Sequence, residues 1–334
     1  MKTPFAYSIL AAAAVCGLAN AQTAYTTPVG YTTQTLTANS YNLVGLTLHN
    51  SPVATGKFES VTSTTATDND VTYAPVAGRT YVMEIVESPA APTLVGSIFE
   101  IPAANISNST ITVTTVPATN LVTLGLTSTA TYNLRLAPTL EEIFRTDSTS
   151  MLTRGLSATN ADVVWVPTAT VGVYDKYFIH SSSSAFRRAG TTTPAPNIPV
   201  IYADGLLIQK RATATTLIQT GEIKKVGTNN VLTAGTNPIS VVAPEGLTLV
   251  TAGFETSTGW AKGLSVTNAD IVWVPSGPST FNRYYFHSGT SLWRNAATNI
   301  AIAADVSLPS CIYVQKKTGT LSLKLKVPTS YTNL

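Results

Sequence analysis

Short apolar runs broken by turn residues dominate this chain. Asp162-Val163-Val164-Trp165-Val166-Pro167 is one such run, stopped by a proline that cannot donate to a β-ladder. After a loop over residues 168–172, Tyr177-Phe178-Ile179-His180 completes a predicted hairpin. Residues 181–184 turn the chain toward Phe186, Asp204-Gly205 marks another turn, and Leu206-Leu207-Ile208 another strand. One helix is predicted, over Pro138-Thr139-Leu140-Glu141-Glu142-Ile143-Phe144-Arg145. There Thr139 is the cap, with Glu142 three residues on. Strands separated at short spacing by Pro, Gly, Asn and Thr point to a sandwich or barrel.

The hairpin pattern occurs twice. Residues 155–167 return as residues 263–275 with 11 of 13 positions identical, at an offset of 108. Lys176-Tyr-Phe-Ile-His180-Ser181 matches Arg283-Tyr-Tyr-Phe-His287-Ser288, Ala185-Phe186-Arg187 matches Leu292-Trp293-Arg294, and Ile208-Gln209-Lys210-Arg211 matches Val314-Gln315-Lys316-Lys317. Asn120-Leu121-Val122 and Leu247-Thr248-Leu249-Val250 read as the openings of the two units. Asn42-Leu43-Val44-Gly45-Leu46, with Pro28-Val29-Gly30-Tyr31 before it, reads as a third, degenerate opening. A period near 108 exceeds the roughly 20–50 residues of a thin solenoid and suits duplicated small domains.

Composition narrows the class. Charged residues make up only 11% of the chain, against about 25% in ordinary globular proteins. Threonine, roughly one residue in six, supplies the polar surface instead. Its branched Cβ favours pleated strands, as do Val, Ile and Tyr. A helical bundle, a coiled coil and a charged disordered chain are excluded on that basis. The net charge of +3, without any basic run, argues against a nucleic-acid surface.

Residues 1–21 read as an export signal. Lys2 precedes an apolar stretch over residues 5–18, and Ala19-Asn20-Ala21 is a small-x-small cleavage site before Gln22. The stretch is shorter than the about 20 apolar residues a membrane-spanning helix needs, and no later segment approaches that length. Removing the signal removes Cys16 and leaves Cys311 alone, without an intramolecular disulfide partner. Cys311 is expected as a buried small hydrophobe.

The order of these elements resembles an uncharacterised family of exported, repeat-containing β proteins of verrucomicrobial-type bacteria. The residues that carry the resemblance are Thr27-Pro28-Val29-Gly30, Ala161-Asp162, Ala269-Asp270, Tyr284-Tyr285, Trp293-Arg294 and Leu207-Ile208-Gln209-Lys210-Arg211. Phe186-Arg187 replaces one Trp-Arg pair, and Ser310-Cys311 stands where the first copy has Asp204-Gly205. The resemblance implies export and a β fold, and carries over no catalytic residue.

Candidate chemistry is sparse. His180 and His287 occupy matching repeat positions, which suggests a ligand or metal site beside Asp162 and Asp270. A strand-end histidine with a local hydrogen bond fits the spacing better, because closed metal sites want three or four ligands. No nucleophile elbow, phosphate loop or dinucleotide fingerprint occurs. Glu84 and Glu87 are expected on opposite faces of a strand. Asp68-Asn69-Asp70 lacks the glycine and closing glutamate of a calcium loop and reads as a turn. The aromatic residues offer more. Trp165 and Trp273, flanked by valines, are expected in the core. Trp293-Arg294 and Phe186-Arg187 are expected at the surface, with Tyr284, His180 and His287 near them.

These features predict a mainly β protein of two or three tandem sandwich- or barrel-like modules. The expected divisions are residues 1–21, 22–117, 118–225 and 226–334. The expected role is an exported, non-enzymatic structural or adhesive component of the cell surface or matrix, self-assembling through strand edges. The alternative is carbohydrate binding through the repeated aromatics. A polysaccharide-active enzyme and an outer-membrane barrel rank below both, since paired carboxylates are not marked by sequence and proline and glycine interrupt the strands. No cofactor or metal is expected. The expected partners are further copies of the chain or a surface polysaccharide.

Overall fold

The computed structural model describes residues 28–114, 120–244, 246–277 and 279–333. The expected signal segment and the expected boundary at 117/118 lie outside the described residues. The described chain is mainly β, made of several antiparallel sheets with no closed barrel. No described helix is long and apolar enough to cross a membrane.

The two predicted hairpin units build sheets of the same order. In the first, β11 (Val163–Pro167) pairs with β12 (Tyr174–His180) and β12 with β13 (Ala185–Arg188). On its other side β11 pairs with β14 (Leu206–Lys210), and β14 with β2 (Ser40–Val44). In the second, β17 (Ile271–Gly277), β18 (Thr280–His287), β19 (Leu292–Asn295), β20 (Cys311–Leu325) and β16 (Thr228–Ser240) take the corresponding places. Each outer strand, β13 and β19, is covered by the chain that follows it: Ala195 N–H donates to Phe186 O at 2.8 Å, and Ile302 N–H to Trp293 O at 3.1 Å.

The first module is assembled from two distant segments. β1 (Val29–Leu36) precedes β2 and pairs along its length with β15 (Thr215–Glu222), which follows β14. In the second module β16 and β20 run through as long strands, with a register shift between Thr233 and Gly235. Leu36 faces Thr215 as Leu232 faces Leu321. Residues 29–44 are therefore the counterpart of β16. What reads in the sequence as a third, degenerate opening is the missing edge of the first module.

An insert with its own core separates these segments. β3 (Pro52–Lys57), β10 (Thr131–Leu136), β6 (Thr80–Glu87) and β7 (Ile98–Pro102) form one sheet in that order. β4 (Ser60–Val61), β5 (Thr65–Thr67), β9 (Thr110–Thr112) and β8 (Ile106–Ser107) form another. Phe58, Met83, Ile101, Tyr132 and Leu134 are buried between them. The ends of the insert are tied together: Asn50 Nδ2 donates to Leu136 O at 2.9 Å, and Arg135 Nη1 donates to Asn50 O at 2.8 Å. Close ends allow such a unit to sit inside another without distorting it. Strand pairing thus crosses the expected divisions, with β1 and β2 joined to the 118–225 segment and β10 to the 22–117 segment.

The opening motifs differ from expectation for the same reason. Asn120-Leu121-Val122 belongs to the insert, where Asn120 caps the short helix α1 (Leu121–Leu124). The first module opens instead at Thr139, which bridges to Pro199 as Thr248 bridges to Ser307. The predicted helix forms there as α2 (Leu140–Phe144). Its capping box is complete: Glu142 N–H donates to Thr139 Oγ1 at 3.2 Å, and Thr139 N–H to Glu142 Oε2 at 2.9 Å.

Candidate functional site

The repeated Ala-Asp segments supply a buried clasp in each module. Asp162 Oδ2 lies 2.5 Å from Lys210 Nζ and accepts Thr153 N–H at 2.7 Å, while Oδ1 accepts Arg211 N–H at 2.6 Å. Asp270 does the same with Lys316 at 2.9 Å, Ala261 N–H and Lys317 N–H. Each lysine also donates to a backbone carbonyl, of Met151 and of Gly259. Burying an ion pair is tolerable only when its remaining hydrogen-bonding capacity is used, as it is here. Asp162 and Asp270 lie just before β11 and β17, and the lysines in β14 and β20, so each clasp joins a hairpin to the strand beside it.

Immediately beyond the clasp, alternation sends one tryptophan of each module outward. Val164 and Val272 are fully buried, while Trp165 and Trp273 are half-buried on the opposite face. Lys176 Nζ sits 3.9 Å from the Trp165 ring centre, and the Arg283 guanidinium lies 5.4 Å from that of Trp273. Each cation is the direct cross-strand partner of its tryptophan. Tyr41 meets Trp165 edge-on at 5.9 Å, and Tyr174 meets it at 6.1 Å. Phe281 lies 6.1 Å from Trp273 and 5.5 Å from Tyr313. The hydroxyls of Tyr313 and of Tyr174 in the other module lie near one another. The result is an aromatic ribbon that runs from one module to the other.

A cleft of about 240 Å³ opens along this ribbon, lined by Tyr41, Leu43 and Leu207 of the first module and Pro275, Phe281 and Tyr313 of the second. Burial raises the Tyr174 and Tyr313 hydroxyls above the ordinary phenol range, so both stay neutral donors. The indole N–H groups of Trp165 and Trp273 have no hydrogen-bond partner among the described residues. Both indole nitrogens are buried, so what the cleft can offer a flat apolar surface is the rings of Tyr41, Phe281 and Tyr313, whereas the two tryptophan faces already carry a cation.

The aromatic residues expected at the surface lie elsewhere. Trp293 is 4% exposed and packs against Phe254, Trp260 and Phe286; Phe186 is wholly buried, and Tyr284 is buried too. Successive strand residues face opposite sides, so Arg294 and Arg187 point away from the rings that precede them. Arg294 donates to Asn299 O at 3.1 Å, and Arg187 to Ser183 Oγ at 3.4 Å. The same geometry reverses the expectation for Trp165 and Trp273. A residue between two valines shares a face with neither. His180 and His287 occupy strand ends, where their Nδ1 atoms bond Ser182 Oγ at 2.9 Å and Thr290 at 3.1 Å.

Two further groups of ionisable residues are brought together only by the fold. Glu84, Arg135, Glu222 and Lys224 are buried together where the insert meets both modules. Arg135 lies 3.2 Å from Glu222 and 3.7 Å from Glu84, and Lys224 pairs with Glu84. His49 sits beside them, 4% exposed, with neither ring nitrogen bonded among the described residues. Burial, with Arg135 and Lys224 nearby, lowers its pKa to about 3. Glu59, Asp68 and Asp70 bring one carboxylate oxygen each within 4.8 Å of one another, the donor type a hard cation takes. Asp68 there accepts the Tyr132 hydroxyl at 2.7 Å, and Glu59 accepts Asn69 N–H at 2.6 Å.

Comparison of the chain with protein-family models, with curated proteins and with solved structures finds no match.

Proposed function

We propose that this chain is an exported, non-enzymatic structural or adhesive component of the cell surface or extracellular matrix, and that it self-associates. One observation carries the reading. The β1–β15 ribbon presents Val29, Tyr31 and Ile218 to solvent on a surface of threonines, with no charged side chain from Val29 to Leu36 or from Thr215 to Gly221. Soluble monomers usually guard such strands with charge, proline or a covering loop. The signal-like start of the chain supports the export part of the reading. Light scattering of the purified protein over a concentration series tests it. Growth in mass with concentration is expected, and a monomer at every concentration overturns the reading.

A second reading rests on the aromatic cleft. Tyr41, Phe281 and Tyr313 could receive the apolar face of a sugar, which makes surface polysaccharide the alternative partner. A glycan array probed with the wild type and with Phe281→Ala tests this. Silence of the wild type on every glycan overturns it.

A further inference from the structure

We infer that β1 is the self-association surface, and that it pairs antiparallel with β1 of a second copy about a two-fold axis at Thr32. The inference deepens the self-association proposed above and rests on it.

Backbone direction identifies the free groups. Ile223 N–H donates to Pro28 O at 3.0 Å, so Pro28 and Ile223 form a hydrogen-bonded position of the β1–β15 ladder. Hydrogen-bonded positions alternate along an antiparallel pair. Gly30, Thr32, Gln34 and Leu36 therefore spend their backbone groups on β15. Val29, Tyr31, Thr33 and Thr35 direct theirs away from it. No described backbone group bonds that outer edge. The side chains of the same four residues are exposed, Tyr31 at 75%. The inner face is anchored instead: Gln34 donates to Leu43 O at 2.8 Å and accepts from Ser310 Oγ at 2.8 Å, and Thr32 Oγ1 lies 2.9 Å from Thr47 Oγ1.

The second module shows the same edge in use. On β16, Asn229 N–H donates to Gly96 O of the insert at 2.9 Å, and Asn229 Nδ2 donates to Thr93 O and Ser97 Oγ at 3.0 Å. Among the described residues there is one insert, and it serves β16. No described segment takes the corresponding place on the edge of β1.

A second copy fits this edge by self-complementarity. In a two-fold register centred on Thr32, the outward residues meet as Val29 with Thr35 and Tyr31 with Thr33, in both directions. About eight backbone hydrogen bonds then form, without a charge to desolvate or repel. Aromatic and β-branched residues facing one another are favourable cross-strand pairs. Thr32 meets its own copy at a non-hydrogen-bonded position, where Cα atoms approach to about 4.5 Å.

That distance suits a disulfide, which supplies the test. Under mild oxidation, Thr32→Cys is expected to give a covalent dimer. Thr35→Cys, although more exposed, is expected to stay monomeric on denaturing gels because its partner is Val29. Cys311 is buried and does not compete. Thr33→Pro removes an outward N–H only, so it is expected to fold normally by circular dichroism while raising the dimer dissociation constant about tenfold or more. Equal crosslinking of the two cysteine variants, or unchanged association of Thr33→Pro, overturns β1 as the surface even if the wild type associates. A monomeric wild type overturns the underlying reading as well.

Discussion

Lys210 Nζ lies 2.5 Å from Asp162 Oδ2 with both side chains out of contact with solvent, and Lys316 stands in the same relation to Asp270. The carboxylate of each pair holds two backbone N–H groups besides the lysine, so its loss unmakes more than the ion pair. Asp162→Ala leaves a buried ammonium and two orphaned amides. It is expected to cost about 3–5 kcal/mol. Lys210→Met leaves a carboxylate that still has two donors and is expected to cost less. Urea unfolding of the two variants checks the ranking, and a larger loss for Lys210→Met would contradict it.

The four tryptophans should separate into two classes. Trp293→Ala empties a site among Phe254, Trp260 and Phe286 and is expected to cost about 3–5 kcal/mol. Trp165→Ala, at a half-buried position, is expected to cost clearly less. Fluorescence quenching by acrylamide provides a second check: Trp273 and Trp165 should be quenched before Trp260 and Trp293.

His49 ties stability to pH. Its pKa is about 3 in the folded protein and near 6.5 in the unfolded chain, so between those values the unfolded state binds the extra proton. The contribution is complete above pH 6.5 and is lost as the pH falls toward 3, by about 1.4 kcal/mol per unit at most. His49→Leu is expected to flatten this limb of the stability profile. Urea midpoints for the wild type and variant between pH 4 and 8 measure the difference.

Gly45 reports on the packing of the two modules. A Cβ there would stand 1.8 Å from Ser310 O, a backbone atom that cannot swing aside. Gly45→Ala should therefore force the modules apart and cost about 1–3 kcal/mol or more. Gly30→Ala, where a Cβ meets nothing within 4 Å, is the matched control and should change stability little.

The sequence carried the local parts of this architecture well. Both hairpins, the capping box of Thr139 and Glu142, and the strand-end positions of His180 and His287 depend on residues a few places apart. Glu84 and Glu87 fall on opposite faces as their spacing requires, Glu84 buried and Glu87 exposed. What escaped depends on distant partners. Asp162 finds Lys210 48 residues away, and nothing near either residue announces the pairing. The aromatic cleft was hidden by an error of face rather than of position. Trp165 falls on the face opposite its valine neighbours, as the two-residue period of a strand requires, and the rings of Tyr41 and Tyr313 come from strands that only the fold brings near. The split of the first module was concealed because its edge strands precede an insert longer than themselves.

That nesting also sets an order of events. β1 is the earliest described strand, yet its partner residues run from Thr215 to Glu222. The insert, whose core draws on residues 58–134, has all its partners long before then. While the chain emerges, an uncharged and strongly β-prone segment must wait through nearly two hundred residues for its ladder, a separation that makes such pairing slow. Until Glu222 arrives both of its edges lack their ladder partner, and such unpaired strand edges are what make incomplete chains prone to pair with one another.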